Sequence, residues 1–254
     1  MDSPPERSAD PVQIYQIGGH RVSIASRGEV LPATPYGLFL AEHIPEMTGR
    51  TAVDVGTGSG ILGIVARLQG AARVYVLDIN PDAIAISMEN AERNAVSEGF
   101  IPLPTGALML PLPAGVLVDY VICNPAQLPM PKSDKADDPF YAGDDGRQMI
   151  EGLVRETPRC LSPTGRLLLL HNSLTDYPKS RRLMESVGLK PRVLAERSLE
   201  FRPFINRAWL DELGGTSRGL YSVRDGRAYE TLYVVEAILG SANAPPGSLT
   251  SRFT

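Results

Sequence analysis

Thr51-Ala52-Val53-Asp54-Val55-Gly56-Thr57-Gly58-Ser59-Gly60, running on into Ile61-Leu62-Gly63-Ile64, decides how the chain is read. Thr51 to Val55 is β-branched or apolar except at Asp54, as a short buried strand is. Three alternate glycines follow. Lacking Cβ atoms, they permit a tight turn and let a ligand come close to the backbone. Ile61 to Leu68 then repeats its apolar residues at helical spacing. A strand that feeds a helix through glycines leaves free N–H groups at the helix start, where an anionic or electron-rich ligand can sit.

Asp54 selects among such ligands. The dinucleotide pattern G-x-G-x-x-G can be laid over Gly58 to Gly63, but it starts too late and leaves Gly56 outside. A carboxylate just before the first glycine repels a pyrophosphate and can accept a hydrogen bond from an ammonium group. S-adenosyl-L-methionine, with an α-amino group, a sulfonium, a ribose and no phosphate, meets these demands. Asp54, Gly56, Thr57, Gly58 and Gly60 are expected to hold its methionine end. A phosphate ligand is the competing reading.

The remaining composition fits a single large α/β domain of 254 residues. A net charge of −4 gives no basic field to favour nucleic acid. The two cysteines, Cys123 and Cys160, have neither paired nor metal-ligand spacing, so a reduced, cytoplasmic protein without a metal is expected. No apolar run is long enough to span a bilayer, and the N-terminus has no signal-peptide core.

Residues 1–11 and 241–254 read as flexible tails around one domain, 12–240. Val12 to Ser26 alternates about Gly18-Gly19, a hairpin signature. Thr34 and Pro35 suit the cap and first turn of a helix from Tyr36 to Ile44. Thr34, Tyr36 or Phe39 either touches the cofactor or serves only as a cap and packing residues. A second strand, Arg73 to Leu77, ends at Asp78, with Ile79 beside it and Asn80 opening a helix to about Asn94. An acidic residue at that strand end reaches ribose hydroxyls in Rossmann-like sheets; capping the helix is the alternative role. The third strand, Gly99 to Leu103, is interrupted by proline. No carboxylate follows it for the adenine, which leaves backbone and apolar groups around Ala107.

Val116 to Cys123 is the fourth strand and leads into Asn124-Pro125-Ala126-Gln127 at the same sheet edge as the glycines. The Asn124 carbonyl can accept a substrate N–H, and Pro125 fixes the neighbouring backbone. Asn-Pro as a simple turn is the bland alternative. A helix from Arg147 to Cys160, a strand from Arg166 to Leu170, a helix from Tyr177 to Val187 and strands at Lys190–Arg202 and Tyr229–Leu239 complete a seven-stranded Rossmann-like sheet with helices on both faces. His171, at a strand end, is either an active-site base or part of a structural network. Residues 203–228 form an insertion between the last two strands. They hold the single tryptophan, Trp209, and read as a substrate lid or a dimer contact.

The glycine stretch resembles the first motif of class I methyltransferases. Asn124-Pro125 resembles the start of the Asn-Pro-Pro-Tyr motif of enzymes that methylate planar nitrogens. The hairpin, Val30 to Pro35, Asp78, Asp138-Pro139, Gly143 to Gly146 and Leu161 to Arg166 follow the order of the HemK-type release-factor glutamine methyltransferases. The resemblance covers roughly Tyr15 to Leu194. It implies methyl transfer to nitrogen, with Asn124, Pro125 and Gln127 orienting the acceptor. Ala126 and Gln127 replace the motif's second proline and tyrosine, and the helical recognition domain of that family does not precede the hairpin. The expected substrate is therefore a small molecule with an amide, amine or guanidine-like nitrogen. A protein glutamine, an RNA base, a non-enzymatic cofactor-binding role and, last, a nicotinamide-dependent oxidoreductase are the rivals.

Overall fold

In the computed structural model, residues 11–30, 32–103, 110–131, 141–202 and 205–240 are described. Residues 1–10 and 241–254 of the tails, Ala107, and Leu31 and Asp138-Pro139 of the quoted motifs lie outside them. Val12–Ile17 (β1) and His20–Ala25 (β2) pair antiparallel across Gly18-Gly19, and both glycines have positive φ, as a two-residue hairpin turn of this hand requires. Thr34 caps Pro35–Ala41 (α1) by accepting the Gly37 N–H, and Pro35 supplies the preset φ of a first turn.

The main sheet has eight strands. They are Thr51–Val55 (β3), Arg73–Leu77 (β4), Phe100–Pro102 (β5), Val118–Cys123 (β6), Leu161–Asn172 (β7), Leu189–Glu200 (β8), Ser222–Arg224 (β9) and Arg227–Leu239 (β10). The order is β5-β4-β3-β6-β7-β10-β8, with short β9 added to β10. β3 to β7 run parallel, and β10 is antiparallel to both its long neighbours. Seven long strands were expected; β9 is the addition, and it comes from the 203–228 segment. β5 is short and at the edge, where Pro102 removes no ladder bond that a central strand would need.

Strand alternation sends the two faces to two cores. Ala52, Val74, Ile122, Leu168 and Val234 pack against α1, the hairpin and Ile61–Leu68 (α2). Val53, Tyr75, Val121, Leu167 and Val235 pack against Gln148–Cys160 (α4) and Tyr177–Ser186 (α5). Pro81–Arg93 (α3) receives the hairpin through two side-chain amides. Asn94 accepts Ser23 N–H and donates to Ser23 O, and Asn90 does the same with Ala25. Asn90 also donates to Ser59 O, so one side chain ties β2 to the glycine turn.

Within the insertion, Arg207–Glu212 (α6) buries Leu210 against Leu174, Leu220 and Tyr221. Trp209 donates its indole N–H to Asp144 O at 3.3 Å. The segment is thus anchored on the C-terminal edge of the sheet. Among the described residues no helix is long and apolar enough to cross a membrane, and no acidic, histidine or cysteine group could hold a metal.

Candidate active site

Sheet register builds the site. Val55 pairs with Leu77 on one side and Cys123 on the other. Gly56, Asp78 and Asn124, one residue further along each parallel strand, therefore stand in a row at the carboxyl edge, where open α/β sheets bind ligands. They line a cleft of about 840 Å³.

The glycine turn is held from both sides. Gly56 and Thr57 N–H both donate to Leu77 O, and Gly58 N–H donates to Asp78 Oδ2 at 2.9 Å. Asp78 Oδ1 accepts Asn80 N–H at 3.0 Å, so the carboxylate is fixed with lone pairs to spare for hydroxyl donors. Asn80, not Asp78, caps α3. Ile79 also lines the cleft and is 74% exposed, an apolar surface that no protein group covers. Gly58 has φ +52°, and a Cβ there would meet nothing within 4 Å. Its place is open to a ligand rather than filled by the protein. An apolar wall, a fixed carboxylate and an open glycine cradle fit the adenosyl and methionine parts of S-adenosyl-L-methionine.

Several expected residues lie elsewhere. Asp54 has no solvent exposure and is not in the cleft wall. Its Oδ2 accepts from Thr57 Oγ1 and Gly63 N–H, so it bolts the turn from beneath, while its buried Oδ1 accepts no hydrogen bond among the described residues. It shares strand parity with Ala52, and that face is core. Thr57 lines the cleft, but its hydroxyl is spent on Asp54. Gly60 is also absent from the wall; a Cβ there would lie 2.9 Å from Ser87 Cβ, so its glycine serves helix packing. Gln127 lines the cleft, yet its amide bridges two strands' ends, donating to Leu170 O and accepting Asn172 N–H. These bonds fix its orientation and leave one N–H and one oxygen lone pair uncommitted among the described residues. His171 is wholly buried on the opposite face, with Nδ1 at Asn172 O and Nε2 at Ser180 Oγ. Burial holds its imidazole down to about 3, so it stays neutral and structural.

Thr34, Pro125 and Asn124 do line the cleft. Asn124 makes no side-chain hydrogen bond among the described residues. Gly37 lies beside it: a Cβ at Gly37 would stand 3.6 Å from Asn124 Nδ2, an ordinary van der Waals contact. The wall also holds Tyr36, Arg202 and Glu230, of which only Tyr36 was considered from sequence. Glu230 has the strand parity of Leu232 and Val234, both core residues. That parity was the one available signal that its carboxylate points inward.

Two consequences can be measured. Asp78→Asn should weaken S-adenosylhomocysteine binding by roughly 1.5–3 kcal/mol, as loss of charge-assisted hydrogen bonds does, while retaining an acceptor for Gly58. Calorimetry that found unchanged affinity would remove Asp78 from the ribose site. Burial raises the Asp54 carboxyl to about 7, against the pull of its Thr57 and Gly63 hydrogen bonds. The folded state then holds this proton more tightly than the unfolded state, so the contribution to stability is full below about pH 4 and is lost as pH rises through about 7. The Tm difference between Asp54→Asn and the parent should shift in favour of the variant between pH 5 and pH 8; a constant difference would contradict the raised value.

This strand order, glycine turn and row of edge residues define a class I S-adenosylmethionine-dependent methyltransferase, and the chain belongs to that class. The family profile "Ribosomal protein L11 methyltransferase (PrmA)" matches residues 32–127, the part that carries the turn, Asp78 and Asn124. A Methanocaldococcus jannaschii protein, provisionally named a protein N5-glutamine methyltransferase, is 25% identical over 77% of this chain and 98% of its own length. The ribosomal protein L11 methyltransferase of Aeromonas hydrophila is 47% identical, but over only 31% of this chain and 26% of its own. Among solved structures, YcgJ of Bacillus subtilis shares the fold, with a TM-score of 0.54 at 13% identity over 81% of this chain and 97% of that one.

Proposed function

We propose that the protein methylates the nitrogen of a carboxamide, and that the acceptor is a glutamine side chain in a protein. The observation that carries this reading is Asn124: an amide with no protein partner among the described residues, in line with the glycine turn and Asp78 across the edge of the sheet. The M. jannaschii relative supports the glutamine assignment, since it matches along nearly its whole length without a large additional domain. That counts for the protein glutamine over a small molecule.

The cofactor supplies a methyl carbon on a positively charged sulfur. Asn124 Oδ1 accepts one N–H of the acceptor and so turns its nitrogen toward that carbon. Held by the glycine turn, Asp78 and the Ile79 wall, the cofactor would give up its methyl carbon to that nitrogen with the electron pair left on sulfur, and the nitrogen's surplus proton would leave to solvent. Alignment dominates in such an in-line displacement. Asn124 and the rigid Pro125 backbone contribute alignment, and the apolar wall keeps water from the methyl carbon.

A small carboxamide remains the second reading, because Ile205 of the 203–228 segment and Arg202 next to it line the same cleft. To test both, protein and methyl-labelled cofactor are incubated with cell extract. Label that stays with protein and is released as methylamine by acid hydrolysis supports glutamine. Label released as methylamine from the low-mass fraction supports the small acceptor. Label in methanol-yielding esters or in nucleotides overturns the carboxamide reading.

A further inference from the structure

The cleft wall contains a second polar group that the methyl-transfer reading leaves unused. Glu230, near the start of β10, has no solvent exposure, yet it belongs to the wall. Tyr36 OH donates to its Oε1. Its Oε2 is buried and accepts no hydrogen bond among the described residues. Arg202 stacks on Tyr36 with its guanidinium carbon 3.9 Å from the ring centroid, which places a cation beside the pair. A buried carboxylate oxygen without a donor is unfavourable, and such groups in native proteins call for a partner.

Two features point to a ligand as that partner. Tyr36 and Gly37 are consecutive in the first turn of α1, and Gly37 is where Asn124 packs. The turn therefore joins the Glu230 pair to the residue beside the methyl position. The chemistry is also selective: Tyr36 satisfies one oxygen and leaves the other able only to accept. A ligand there must present a donor.

We propose that Glu230 is a specificity residue of the acceptor site, whose Oε2 receives an N–H of the substrate's nitrogen-bearing head group while Tyr36 holds the other oxygen in place. This deepens the carboxamide reading and rests on it for the identity of the acceptor. Together Asn124 and Glu230 would select a head group rich in N–H donors and reject a carboxylate of the same shape. Burial raises the Glu230 carboxyl to about 6, against the Tyr36 hydrogen bond and the Arg202 charge, so at pH 8 it is an anion ready to accept.

The test measures binding to protein saturated with S-adenosylhomocysteine at pH 8, by NMR titration. Three probes share one backbone: N-acetylglutamine methylamide, N-acetylornithine methylamide as an ammonium, and N-acetylglutamate methylamide as a carboxylate. The parent should bind the carboxamide and exclude the carboxylate. Glu230→Gln, which keeps shape and an acceptor for Tyr36, should bind the carboxamide at least about tenfold more weakly and admit the carboxylate, because its new N–H₂ can donate. Its S-adenosylhomocysteine affinity should be unchanged and its Tm at pH 8 no lower. Equal carboxamide binding by parent and variant overturns the role of Glu230 and leaves the carboxamide reading standing. Preference of the parent for the ammonium, lost in the variant, overturns the carboxamide reading and upholds Glu230. Weakened S-adenosylhomocysteine binding in the variant, or no binding of either donor probe by the parent, overturns the proposal.

Discussion

Asn124→Ala is expected to lower kcat for methyl transfer by ~10²-fold or more while S-adenosylhomocysteine affinity stays within about twofold of the parent. The reason lies in the register of β3, β4 and β6, which sets Asn124 level with Gly56 and Asp78. In the proposed reading the cofactor is held by the turn, Asp78 and the Ile79 wall, which line the cleft. Asn124 is left to the acceptor, and its amide is not part of the protein's own hydrogen bonding among the described residues. Little stability should be lost, because no protein group is orphaned by the truncation. Asn124→Asp is the sharper variant: it keeps the shape and an acceptor oxygen, adds charge, and should retain partial activity. Single-turnover transfer and calorimetry on the same preparation separate the two steps. Transfer by Asn124→Ala at the parental rate would reduce Asn124-Pro125 to a turn and remove the nitrogen-acceptor reading with it.

The largest effect on stability is expected from Gly60→Ala. Gly60 caps α2 with φ +88°, where an L side chain is strained by roughly 1–2 kcal/mol. Its Cβ would also stand 2.9 Å from Ser87 Cβ and 3.1 Å from Ser87 Cα. That neighbour is helix backbone and cannot swing aside, so α2 and α3 must separate, at about 1–3 kcal/mol more. The sum, roughly 2–5 kcal/mol, corresponds to a Tm lower by about 4–20 °C for a chain of this size. Gly58→Ala is the control. It carries the backbone strain without the clash, so it should lose less Tm and more S-adenosylhomocysteine affinity. Thermal melts with and without S-adenosylhomocysteine would show the two glycines exchanging roles. Equal losses of stability would mean that the α2–α3 contact is more yielding than its distances indicate.

The contrast between these glycines marks the limit of local reading. Both lie in one motif with positive φ, and spacing alone assigned both to the ligand. Only the position of Ser87, brought over by α3, distinguishes a glycine that packs from one that faces the cleft. β7 shows the same limit in the backbone. Its apolar run, Arg166 to Leu170, is legible, but pairing begins at Leu161. The register shift between Val118 and Tyr120 lets the sheet absorb Ser162 to Gly165, a stretch that reads locally as a turn.

Sequence by itself determined the strands, the hairpin, the helix caps at Thr34 and Asn80, and the glycine turn with Asp78 and Asn124 at strand ends. Each of these is a local matter: period, positive φ, a capping side chain, or the residue that ends a strand. What the tertiary structure decided is which polar side chains remain free to meet a ligand. Asp54 gave one oxygen to Thr57 and Gly63 and kept the other buried without a donor, Gln127 was engaged by Leu170 and Asn172, and His171 by Ser180 on the far face of the sheet. Glu230 met Tyr36, nearly the whole chain away in sequence, and kept one oxygen without a donor. A hydrogen-bonding group is available for function only if folding has not already satisfied it, and its partners come from segments that no local pattern brings together.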